Sequence, residues 1–204
     1  KSTEATHLEN KLAEELARFE KANDDNLTLA VGAITSGRAA LAQAKVADGL
    51  GGASAAIEAL DAVEKSLETI KIEENKAPAE KLLAAGKEKR QALRADALVL
   101  RACSTMHRDE GDALKAASDD LATAKELAPE LADVLVAQGD LLVLQGKLQD
   151  GLSQYGQAVD KAPKSLPAHL GRVRAQWLLE SFQDLFPTVG AALSLLDSVE
   201  LAAD

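Results

Sequence analysis

Pro129 and Pro163 stand 34 residues apart, and each closes a similar phrase, Ala124-Lys-Glu-Leu-Ala-Pro129 and Ala158-Val-Asp-Lys-Ala-Pro163. A phrase recurring at this period restricts the folds open to a chain, because a short unit buries its apolar face only against a neighbour in a stack. The residues around it are helix formers. The chain holds 40 Ala and 33 Leu but only 2% aromatic residues, and residues that favour strands are scarce. Hydrophobic residues make up 47%, so a packed core is available and an acidic disordered chain is excluded.

Between the two prolines each position has a physical role. Gly139 and Gly151 let two antiparallel helices approach closely, and Gly146 turns the chain between them. Tyr155 and Ala158 face the next hairpin, and Pro163 stops the helix. With Ala132, Leu135, Gln145 and Leu148, this spacing resembles the tetratricopeptide repeat (TPR), most clearly over residues 132–165. The resemblance implies an all-α fold, a right-handed α-α solenoid of antiparallel helical hairpins. Upstream, Ala95, Leu98 and Ala102 begin a similar first helix and Ala117, Leu121, Ala124 and Pro129 a second, with a longer turn through His107–Asp112. Downstream, Ala168–Leu179 and a degenerate Phe182–Leu196 complete a third unit. The resemblance covers roughly 93–197, which gives TPR-like repeats with a C-terminal helix over 93–204.

Residues 1–92 lack the repeat's signature residues. Apolar spacing predicts helices over Thr3–Lys21, with Leu8, Leu12, Leu16 and Phe19, and over Leu27–Ala47, with Val31, Ile34 and Leu41. Asn23-Asp24-Asp25-Asn26 reads as the turn between them, and Asp48-Gly49-Leu50-Gly51-Gly52 as the next break. A stripe from Ile57 to Ile70 ends near Asn75, and a long helix runs from Pro78 to Thr105. This half reads as divergent hairpins continuing the solenoid, or as a separate helical bundle capping it.

Composition excludes several functions. A net charge of −10 disfavours a non-specific nucleic-acid binder and a polybasic lipid-docking face. No apolar run approaches the roughly 18 residues of a membrane helix. The sequence begins at Lys1 without Met, so a leader could have preceded it. The expected location is therefore cytoplasmic or, with such a leader removed, periplasmic or otherwise extracytoplasmic. Cys103 is the single cysteine, which excludes an internal disulfide and any multi-cysteine metal site. His7, His107 and His169 are far apart, and His107 in His-Arg-Asp-Glu reads as helix-end capping. Cys103 and His107 lie four apart, but a lone helical cysteine is usually a small buried hydrophobe. Asp119-Asp120 and Asp109-Glu110 read as solubilising charge, and Gly49–Gly52 lacks the strand and Lys of a phosphate loop. The Lys/Glu-rich stretch from Glu64 to Arg90 reads as i,i+4 helix-face pairs. No catalytic set, metal site or cofactor is expected.

In the resembled family the first helix of each repeat lines a concave face that binds a peptide or helix. Transferred by alignment, that face comprises Val99, Cys103 and Met106, then Asp133, Val136, Asp140 and Val143, and finally Leu170, Arg174 and Trp177. The Lys/Asn/Arg clamp with which some family members grip a C-terminal carboxylate is absent, its places being held by Val99, Cys103, Val136 and Asp140. A mainly apolar groove suits an amphipathic helix, unless the chain's own N-terminal helices fill it. The expected function is a non-catalytic scaffold or adaptor with a protein or peptide partner. The alternatives are a transport-accessory or small-ligand-binding solenoid, or a self-assembling subunit. The last would pair through the apolar residues of Thr188–Asp204 as a homo-oligomer.

Overall fold

The computed structural model describes residues 2–69, 76–108 and 111–200, with side chains at 14, 17, 18, 20–66, 84, 86–108 and 111–196. Among the described residues the protein is all-helical. The helices are α1 (Ser2–Ala42), α2 (Val46–Thr69), α3 (Lys76–Met106), α4 (Ala113–Leu127), α5 (Ala132–Leu144), α6 (Leu148–Lys161), α7 (Leu166–Leu178) and α8 (Phe182–Glu200). The chain divides into two compact units, Lys1–Ala97 and Leu98–Asp204.

In the first unit α1 packs on α2 around Leu27, Ala30, Ile34, Ala56 and Leu60, with Ala97 joining the cluster. Both breaks expected here are helical. Asn23–Asn26 lies inside α1, where Asp24 and Asp25 are exposed and the Leu27–Ala30–Ile34 stripe runs on past them. A few polar residues each cost a helix well under about 1 kcal/mol, so a continuous buried face prevails. The chain turns instead at Gln43–Lys45. Ala44 takes φ 59, its N–H donates to Leu41 O, and the Lys45 N–H donates to Ala40 O. This is a Schellman stop with alanine in place of the usual glycine.

The Gly49–Gly52 cluster lies within α2. A Cβ on Gly52 would come within 2.7 Å of Ala33 O and 2.8 Å of Gly37 Cα on α1. Here glycine serves a close helix crossing, not a turn. The stripe expected to end near Asn75 runs into residues outside those described. Helix α3 agrees with expectation to within two residues at either end. Its Arg94 pairs with Asp61 and, at 3.2 Å, with Glu64 on α2, while Arg38 of α1 reaches Asp96 at 3.2 Å. Glu64 thus bridges helices, where an i,i+4 pair along its own helix was expected.

In the second unit each helix packs on the next from α4 to α8, and α5 also meets α7. Helices α4 and α6 stop one residue before Ala128 and Ala162, whose ψ of 73° and 79° lies outside the α region that a following proline disfavours. Between α5 and α6, Gly146 takes φ +76. The Gly146 N–H donates to Val143 O and the Lys147 N–H to Leu142 O. A Cβ on Gly151 would stand 2.9 Å from Val143 Cγ2 and 3.1 Å from Gly139 O, so α6 lies close along α5. Leu135, Ala158 and Ala168 form a buried cluster from α5, α6 and α7. Arg101 grips Asp120 of α4 with two hydrogen bonds, Nε to Oδ2 at 2.8 Å and Nη2 to Oδ1 at 2.6 Å. That fork raises the Arg101 pKa against the opposing effect of burial.

Candidate functional site

The second unit centres on one aromatic ring. Tyr155 of α6 is completely buried, between Gly139 of α5 and Gly171 of α7. A Cβ on Gly139 would lie 2.6 Å from Tyr155 Cε1, and one on Gly171 would overlap the same ring edge. The two glycines therefore form a slot, and the ring fills it.

At the ring's polar end three helices meet. The Tyr155 hydroxyl donates to Asp140 Oδ1 of α5 at 2.6 Å. Arg174 Nη2 of α7 donates to the Tyr155 hydroxyl oxygen at 2.6 Å and also to Asp140 Oδ1. The Arg174 guanidinium carbon lies 6.0 Å from the Tyr155 ring centroid. Asp140 and Arg174 are themselves 34 residues apart, the same separation as Pro129 and Pro163. Burial, reinforced by the Asp140 carboxylate, pushes the Tyr155 hydroxyl pKa well up. Burial works against the Arg174 charge, but Asp140 and Tyr155 outweigh it, and its pKa is also raised.

Asp140 and Arg174 of this triad line a cleft of about 200 Å³ together with Cys103, Met106, His107, Val143 and Leu144. Five of the ten residues expected on a concave face are thus together: Cys103, Met106, Asp140, Val143 and Arg174. Of the other five, Val99 is buried at 6% exposure. Val136 is half-buried against Leu135, Ala158 and Ala168, and Asp133 is half-buried. Leu170 and Trp177 are exposed but do not line the cleft. Asp140 and Arg174, read from sequence as groove charges, neutralise one another and clasp a buried tyrosine.

Sequence reasoning missed His107 and Leu144. Each is the immediate neighbour of an aligned position, His107 following Met106 just past the end of α3 and Leu144 following Val143 as the last residue of α5. The i,i+4 spacing of Cys103 and His107 was the available signal. His107 Nδ1 sits 2.7 Å from the Cys103 carbonyl oxygen, so the ring caps the end of α3. His169, in contrast, is buried, with Nε2 2.9 Å from Pro163 O. The cleft presents apolar side chains around one oriented carboxylate–guanidinium pair, a combination suited to holding an amphipathic chain.

No protein-family model matches the chain, and no curated protein matches it as a relative.

Proposed function

We propose that the second unit is a TPR-like scaffold whose cleft holds an amphipathic peptide or helix from a protein partner. The observation that carries this reading is the convergence of Met106, Asp140, Val143 and Arg174, taken from the first helix of three consecutive units, on one cleft. The packing of each helix on the next, with α5 also against α7, is the pattern a repeat stack requires. The slot made by Gly139 and Gly171 supports it too, since the ring it accepts ties the second helix of one unit to the first helices of two. At about 200 Å³ the cleft falls below the usual range of small-ligand pockets, about 300–1,000 Å³, which favours a polypeptide over an enclosed metabolite.

The test is affinity capture from native extract by wild type and by Met106→Glu/Leu144→Glu, both first shown equally helical by circular dichroism. Leu144 is 56% exposed and Met106 is half-buried at the cleft rim, so the new carboxylates reach water. A protein held by wild type and lost from the variant supports the adaptor reading. An identical set on both overturns the cleft as the binding surface.

A further inference from the structure

The corner where α7 turns into α8 sets an aromatic patch beside two exposed acids, Glu180 and Asp184. The chain has only five aromatic residues, and three of them, Trp177, Phe182 and Phe186, stand here exposed at 60%, 46% and 73%. Leu178, 48% exposed, adjoins them. The corner is built tightly. Glu180 takes φ 55, its N–H donates to Trp177 O, and the Ser181 N–H donates to Gln176 O. This Schellman turn places Trp177 edge-on to Phe182, with ring centroids 5.8 Å apart and planes at 81°. Large rings left together in water in an aromatic-poor protein mark an interaction surface.

The charges carried by the corner itself have one sign: from Ala175 to Leu196 there is no Lys or Arg, while Glu180 and Asp184 are acidic and exposed. The last basic side chain before this stretch, Arg174, is already paired with Asp140. A second copy meeting this face with the same face would set Glu180 and Asp184 against their own like charges, and the same acids disfavour an anionic membrane. We propose that the α7–α8 corner docks a cationic amphipathic helix of a partner protein. Its apolar face covers Trp177, Phe182 and Phe186, and its flanking Lys or Arg residues reach Glu180, Asp184 and the ring faces. None of the three rings lines the cleft, so this inference stands apart from the adaptor reading.

Trp177 is the only tryptophan, so its emission reports the patch alone. The probe is a synthetic helical Leu/Lys amphipathic peptide, with a Leu/Glu peptide of equal length as comparison. The Leu/Lys peptide is expected to shift Trp177 emission to the blue saturably, and the Leu/Glu peptide to leave it unchanged. Phe186→Ser is expected to weaken binding about tenfold, the loss of one aromatic anchor. Glu180→Gln/Asp184→Asn, keeping shape but losing charge, is expected to weaken it about fivefold, two exposed ion pairs' worth. Leu144→Glu, in the cleft, leaves affinity within about twofold. Four results overturn the proposal: no response to the Leu/Lys peptide, an equal response to Leu/Glu, sensitivity to Leu144→Glu without sensitivity to Phe186→Ser, or a peptide-free emission shift on concentration with doubled mass by light scattering. The last would assign the patch to a second copy.

Discussion

Replacing Gly171 by alanine puts a methyl group into the edge of the Tyr155 ring. The ring cannot easily give way, because Tyr155 is fully buried and its hydroxyl is held by Asp140 and Arg174. At an unobstructed helix position the same change stabilises by about 0.5–1 kcal/mol, through helix propensity and unfolded-state entropy. Forced overpacking costs about 1–3 kcal/mol, and displacing the hydroxyl from charged partners adds to this. Gly171→Ala is therefore expected to destabilise by about 1–3 kcal/mol, seen as a lowered urea midpoint at unchanged slope by circular dichroism. Gly156, inside α6, meets nothing within 4 Å of its Cβ position, so Gly156→Ala is expected to stabilise by about 0.5–1 kcal/mol. The decisive comparison is Gly171→Ala in a Tyr155→Val background, where the obstructing ring edge is gone. There its effect is expected to change sign, giving a coupling of roughly 2 kcal/mol or more. An equal effect of Gly171→Ala in both backgrounds would refute the slot-and-ring account.

Tyr155 is the only tyrosine, so phenolate absorbance follows it alone. Its raised folded pKa means that this contribution to stability is whole below the unfolded value near pH 10 and is lost as pH rises beyond it. The folded protein is expected to resist ionisation at a pH where urea-unfolded chain already titrates; coincident curves would contradict the buried hydroxyl. Ala44 holds a left-handed φ that costs an alanine about 1–2 kcal/mol, so Ala44→Gly is expected to stabilise by about 0.5–1 kcal/mol after the entropy of glycine is counted. A lower urea midpoint for that variant would place the α1 stop elsewhere. Arg101→Lys keeps the charge but loses the fork to Asp120, and is expected to cost about 1 kcal/mol, less at high salt. Salt-independent loss would point to packing instead.

The helices of the second unit were legible because their punctuation is ordinary: prolines after Ala128 and Ala162, and glycine at Gly146. The first unit misled for the same reason in reverse. Its turn uses Ala44, which carries no turn signal, while Gly52 serves the crossing of α1 and α2. A glycine needed for close approach and a glycine needed for a turn look alike in sequence; only the partner helix tells them apart. Half of the aligned face meets at the cleft, including Met106, Asp140 and Arg174, which stand 34 residues apart in turn. Spacing could not reveal that Asp140 and Arg174 spend their charges on each other. Nor could it show that Val99 is core, since a position's exposure depends on neighbours from other helices.

Met106 is the only methionine, so a protein labelled with ¹³C-methyl methionine gives one resonance, from the cleft wall. The most direct test of the adaptor reading is to titrate this protein with the captured partner while light scattering follows complex formation. A saturable shift of the Met106 methyl in step with the complex, abolished by Leu144→Glu, is the predicted result. A complex that forms while the Met106 methyl stays unmoved would contradict binding in the cleft.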